Sequence, residues 1–112
     1  MMAIAKFVYV RSRALLDAIK TLPCQCCGAA APSDPAHSNQ AAHGKGKGIK
    51  ASDVFVAAMC RVCHRMVDQG SHLTRAERLA IWTPAWHSTV RELLRRGLWP
   101  IDIPVPDIRS FH

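Results

Sequence analysis

The chain has 112 residues, 49% hydrophobic and 21% charged, with 15 Lys+Arg against 8 Asp+Glu and a formal net charge of +7. That length fits one domain, here taken as residues 1–112, and the apolar content is too high for a disordered chain. No membrane association is expected, because the longest apolar run, Val54 to Cys60, falls far short of the ~20 residues a span needs.

In chain order, Met1 to Val10 is interrupted by Lys6 and followed by Arg11 and Arg13. It lacks a long apolar segment and a small-residue cleavage site, so no secretory signal is read and a cytoplasmic setting is expected. Phe7-Val8-Tyr9-Val10 is a short β-prone run or a frayed arm. Ser12 is placed to cap a helix over about residues 13–22, with Leu15, Leu16, Ile19 and Leu22 on one face and Pro23 as its stop. Residues 28–36 read as a loop or short strand. Asp53 precedes a run that reads as buried, Val54 to Met59, and a helix is expected around residues 63–68. Gly70-Ser71 breaks the chain before Thr74-Arg75-Ala76-Glu77, a capping-box pattern that starts a helix. Thr83-Pro84 either kinks this helix or starts a second one with Pro84 at its first position. Trp86, Val90, Leu93 and Leu94 form a core-facing stripe, and Gly97 ends the helix. Residues 98–112, with Pro100, Pro104 and Pro106, read as an extended tail beyond a core over 11–97.

The five cysteines are Cys24, Cys26, Cys27, Cys60 and Cys63. An odd count without an export signal argues against a disulfide scaffold. Cys24-x-x-Cys27 and Cys60-x-x-Cys63 are matched pairs, each able to fold as a knuckle that points two sulfurs at one ion. Together they predict a tetrahedral four-cysteine site for structural Zn²⁺. Five inert buried thiols would not explain two matched spacings. Gly28 suits the tight turn after the first pair, and Cys26 is read as a bystander.

Residues 28–59 separate the knuckles, which is more than a simple zinc finger needs. From Ala36 to Ser52 the chain holds no acid, but it holds His37, His43, Lys45, Lys47, Lys50 and glycines at 44, 46 and 48. Asp53 follows, and His64 stands directly after Cys63, with Asp68 four residues on. The Ala-His, the Gly-Lys-Gly loop with its following Lys and Asp, and the Cys-x-x-Cys-His with its Asp resemble the phage- and prophage-encoded HNH-like (YbcO-like) nuclease family over about residues 11–97. The resemblance implies an α+β fold, a small zinc-stapled ββα-metal (HNH-like, His-Me finger) core with flanking helices at both ends. It implies that His37 is the general base, that His64 binds the catalytic ion, and that Asp53 occupies a middle polar position. One departure is Ala36, where many such enzymes carry a metal ligand; Asp34 and His43 are the nearest replacements.

The residue types support such a site independently. Imidazole titrates near neutrality and can take a proton from water. His64 and Asp68 share one helical face and can share a divalent ion, expected to be Mg²⁺ or Mn²⁺, with Asp53 a further candidate ligand. The loop lacks the P-loop spacing; its glycines let backbone approach phosphates, with His43, Lys45, Lys47 and Lys50 as nucleic-acid contacts. The leading expectation is a metal-dependent endonuclease acting on DNA, as a monomer or homodimer. The alternatives are a non-catalytic zinc module that binds nucleic acid, and a phage interaction protein using the helix near residues 84–96 and the proline tail.

Overall fold

The computed structural model describes residues 10–40, 51–70 and 72–108. Its elements are α1 (Arg13–Lys20), β1 (Asp34–His37), β2 (Val56–Met59), α2 (Arg61–Gln69) and α3 (Arg75–Arg95), an α+β arrangement. No helix among the described residues is long and apolar enough to cross a membrane.

α1 begins where Ser12 Oγ accepts the Leu15 N–H at 3.1 Å. It buries Leu15 and Ile19, with Leu22 buried just beyond its end, while Leu16 is only partly covered. The helix stops at Lys20, two residues short of the expected end, and Ser33 then ties the turn down by donating to Leu22 C=O at 2.7 Å.

β1 and β2 pair antiparallel, with Asp34 opposite Met59 and His37 opposite Val56. Pro35 stands opposite Ala58, whose own polar groups point away from β1. The Ala58 N–H donates to Thr89 Oγ1 at 2.9 Å, and the Ala58 C=O accepts from the Gln25 N–H at 2.8 Å. A proline is tolerated there because the ladder asks nothing of its missing N–H. The same two bonds satisfy the outer edge of β2 with α3 on one side and the first cysteine knuckle on the other.

All four β2 residues are buried, and the small side chains of Ala57 and Ala58 let α3 approach closely. Trp86 and Trp82 stack at 5.4 Å between ring centroids, and Phe55 tilts onto Trp86. Both indoles are satisfied as they enter the core: Trp82 donates to Ala36 C=O at 2.9 Å and Trp86 to Val54 C=O at 3.0 Å.

α3 carries the expected capping box, with Thr74 Oγ1 accepting the Glu77 N–H and Glu77 Oε1 accepting the Thr74 N–H. It runs unbroken through Pro84. The missing hydrogen bond is offset by a buried stripe of Trp82, Ala85, Trp86, Thr89, Val90 and Leu93. Leu94 does not belong to that stripe: it is 46% exposed, because it lies one residue further round the helix from Leu93. The stretch after Gly97, which takes φ +71°, is expected as an extended tail; over the described residues, to 108, it turns at 101–103 and packs back on the core. The Trp99 indole donates to Ile103 C=O at 2.8 Å, and Trp99, Ile103 and Ile108 pack against the core. Burial of these side chains holds the segment down despite its three prolines.

Candidate metal centre and candidate active site

The two cysteine pairs meet at the junction of the hairpin, α1 and α2. In the first, Cys24 C=O accepts the Gly28 N–H at 3.0 Å, and Gly28 takes φ +83°, the left-handed conformation the tight turn requires. The N–H groups of Cys26 and Cys27 both point at Cys24 Sγ, at 3.4 Å. In the second, Cys60 caps α2 and its sulfur accepts the Cys63 N–H at 3.5 Å.

The sulfurs of Cys24, Cys27, Cys60 and Cys63 all lie within 4.8 Å of one another. Cys27 Sγ and Cys60 Sγ are 3.7 Å apart. A tetrahedron with Zn–S bonds of ~2.3 Å has edges of about 3.8 Å, so the cluster fits one zinc ion. The same separation is far too long for a disulfide, and all five cysteines are free thiols. Cys26 is exposed and stands outside the four.

The electrostatics show why an ion suits this cluster. Burial raises the Cys24 thiol, but the backbone N–H groups aimed at its sulfur outweigh this and bring it down to about 6. Cys63 moves the other way, pushed up first by burial and then by the neighbouring sulfurs of Cys60, Cys26, Cys27 and Cys24. Several thiolates crowded together oppose one another's ionisation, and a divalent cation removes that opposition.

His37 lies at the last position of β1. Its Nε2 is 2.7 Å from Asp53 Oδ1. Asp53 is buried and held from two further sides, by Arg11 Nη1 at 3.1 Å and by the Ser12 N–H at 2.8 Å. A carboxylate only accepts, so the bonded Nε2 carries hydrogen and the neutral ring keeps Nδ1 as an acceptor. The His37 side chain is 16% exposed, enough for one edge to meet solvent.

On α2, His64 sits between two carboxylates. Nδ1 is 3.3 Å from Asp34 Oδ2 on β1, and Nε2 is 3.5 Å from Asp68 Oδ2 one helical turn on. Arg61 Nε reaches Asp34 Oδ2 at 3.3 Å, and Asn39 Nδ2 donates to Asp68 Oδ1 at 3.2 Å. His64 Nε2 and Asp68 are thus close enough to share an ion, with Asp34 behind the other ring nitrogen, the arrangement by which carboxylates orient metal-binding histidines.

The three residues expected to surround one catalytic ion, His64, Asp68 and Asp53, are not gathered at one point. The four cysteines form the one group of three or more such ligands among the described residues. Asp53 precedes β2, and Arg11, Ser12 and His37 claim its oxygens there. Its role as the partner of His37 was not readable from the sequence, and neither were the Asp34–His64 and Asn39–Asp68 contacts. Each depends on the hairpin register. His43, Lys45, Lys47 and Lys50, expected to contact nucleic acid, lie outside the described residues, as do the glycines among them.

A family model with the description "Protein of unknown function (DUF968)" matches residues 1–76, more than half of the chain. The match takes in both cysteine pairs, the hairpin and α2, and ends as α3 begins. No curated protein and no solved structure matches the chain.

Proposed function

The chain belongs to the DUF968 family, a family of unknown function, and from that premise we propose that it is a metal-dependent HNH-type endonuclease hydrolysing phosphodiester bonds in DNA. In this reading zinc is structural and the hairpin with α2 forms a ββα-metal core. The observation that carries it is the pair His37–Asp53, 2.7 Å apart at the end of a strand that leads, through its partner strand and the second knuckle, to a helix bearing His64 and Asp68. The order strand, strand, helix agrees with what the resemblance of the sequence implies.

The chemistry assigned to each residue follows from its contacts. Asp53 accepts from His37 Nε2 and so presents Nδ1 toward the substrate side. Nδ1 takes a proton from the attacking water as its oxygen bonds to phosphorus and the bond to the leaving oxygen breaks. The ring becomes cationic at that moment, and the carboxylate beside it stabilises the new charge. Arg11 and Ser12 hold the carboxylate still. A Mg²⁺ or Mn²⁺ ion held by His64 and Asp68 would polarise the phosphate and stabilise the leaving oxygen.

A plasmid-nicking assay with Mg²⁺, Mn²⁺ or EDTA tests the reading. Nicking by the native chain, lost in His37→Ala while zinc content is kept, is the expected result. The second reading is a non-catalytic zinc module that binds nucleic acid. It is favoured by one observation, that among the described residues two ligands, His64 and Asp68, lie within reach of one ion at that helix and no third joins them. It predicts salt-dependent binding without cleavage under any metal.

A further inference from the structure

Beside His37, a cavity of ≈ 60 Å³ opens between the end of β1, α2 and the first turns of α3. That is several times the ~10–15 Å³ that one water needs. Its polar lining consists of His37, Asn39, Gln40, Arg75 and Arg78, with Trp82 as part of the wall. Arg75 and Arg78 line it, and among the described residues no acidic side chain does. The nearby acids stand one residue back, Asp53 behind His37 and Asp68 behind Asn39. Glu77, on the same turn as the arginines, is turned away into the capping box.

Arg78 is the informative side chain. Its Nη2 donates to Leu73 C=O at 3.4 Å, which anchors one edge of the guanidinium. Its Nε is buried and has no hydrogen-bond partner among the described residues. A buried charged donor without an acceptor is costly unless a ligand supplies one. A planar guanidinium matches the oxygens of a tetrahedral oxyanion, and a cavity lined by two arginines with no acidic side chain among its described lining attracts an anion.

We infer that this cavity binds a phosphate group, with Arg78 as its principal ligand and Arg75 as a supporting charge. Arg78 lies beyond the segment matched by the family model, and by residue type alone it is one more charge on a helix surface. The inference deepens the nuclease reading and rests on it for one point, that the phosphate belongs to a nucleic-acid strand and is brought beside His37.

The test is an NMR titration of the full zinc-loaded chain, read at the arginine Nε–H resonances, with inorganic phosphate in one arm and a short DNA oligonucleotide in the other. The Arg78 resonance, identified by its loss in Arg78→Met, is expected to shift and saturate in both arms, at lower concentration with the oligonucleotide. Phosphate binding, read at the Trp82 indole N–H, is expected to weaken about tenfold or more in Arg78→Met, since hydrogen bonds to charged groups contribute roughly 1.5–3 kcal/mol. Arg13→Met should leave it unchanged. Should Arg78→Met perturb the fold, Arg78→Lys keeps the stem and charge but removes the planar fork, and a several-fold loss is expected there. No saturating shift at Arg78, or native phosphate affinity in a folded Arg78 variant, overturns the inference. Saturation by inorganic phosphate with no response to the oligonucleotide overturns the strand assignment. Phosphate binding at Arg78 without cleavage by the native chain supports the cavity and removes the nuclease reading. Native cleavage by Arg78→Met does the reverse.

Discussion

His37 Nε2 and Asp53 Oδ1 meet at 2.7 Å across a segment that contains no other acid, and Asp53 is fixed there by the Arg11 guanidinium and the Ser12 N–H. The strand end is therefore built around an oriented imidazole. Asp53→Asn keeps the shape but no longer offers two accepting oxygens. It is expected to lower nicking by about 10²–10⁴-fold, the range typical of losing an oriented general base. ¹⁵N NMR of the His37 ring distinguishes positioning from mere support of the fold: the variant should lose the single tautomer with hydrogen on Nε2.

Four convergent sulfurs predict one zinc per chain by elemental analysis. A strong chelator should unfold the protein or lower its Tm sharply, since structural zinc contributes about 10–16 kcal/mol in small zinc domains. Cys63→Ser should lose the metal and Cys26→Ser should retain it. Acidification should release zinc, because protons compete for the same thiolates.

The carboxylates around His64 predict two kinds of loss. Mn²⁺ binding, followed by its relaxation effect on water protons, should weaken in Asp68→Asn because Asp68 faces Nε2 directly. Asp34→Asn should weaken it by about 10–100-fold without removing a ligand, because Asp34 only orients the ring through Nδ1. Zinc content should be the same in both variants.

Thr89 predicts a stability effect far from either centre. Its Oγ1 accepts the Ala58 N–H at 2.9 Å and donates to Ala85 C=O at 2.7 Å, fully buried. Thr89→Val keeps the volume but leaves the Ala58 N–H without an acceptor, at a cost of about 1–3 kcal/mol. Thr89→Ser keeps the acceptor and should cost less, as read from denaturant midpoints.

Much of this architecture is legible locally. Ser12 and Thr74 mark their helix starts through hydroxyls that accept N–H groups three residues on, and Gly28 and Gly97 mark turns that need positive φ. The cysteine spacing identifies its own four members because a knuckle is a local structure. What the sequence leaves open is set by packing between distant segments. Whether Thr83-Pro84 begins a new helix is decided by the buried stripe of α3, which outweighs one lost hydrogen bond. The place of Leu94 turns on a rotation of one residue. Asp53 is a plausible metal ligand by composition, yet the hairpin register delivers it to His37 and Arg11. Arg78 looks like any surface charge until the cavity beneath it is seen.

Nicking of supercoiled plasmid by the zinc-loaded chain, compared with His37→Ala at equal zinc content, tests the central claim most directly. Mg²⁺- or Mn²⁺-dependent conversion to open circles by the native protein, abolished by EDTA and by the substitution, is the predicted result. A native protein that binds the plasmid but leaves it intact with every divalent ion, or a His37→Ala variant that cuts equally well, would contradict it.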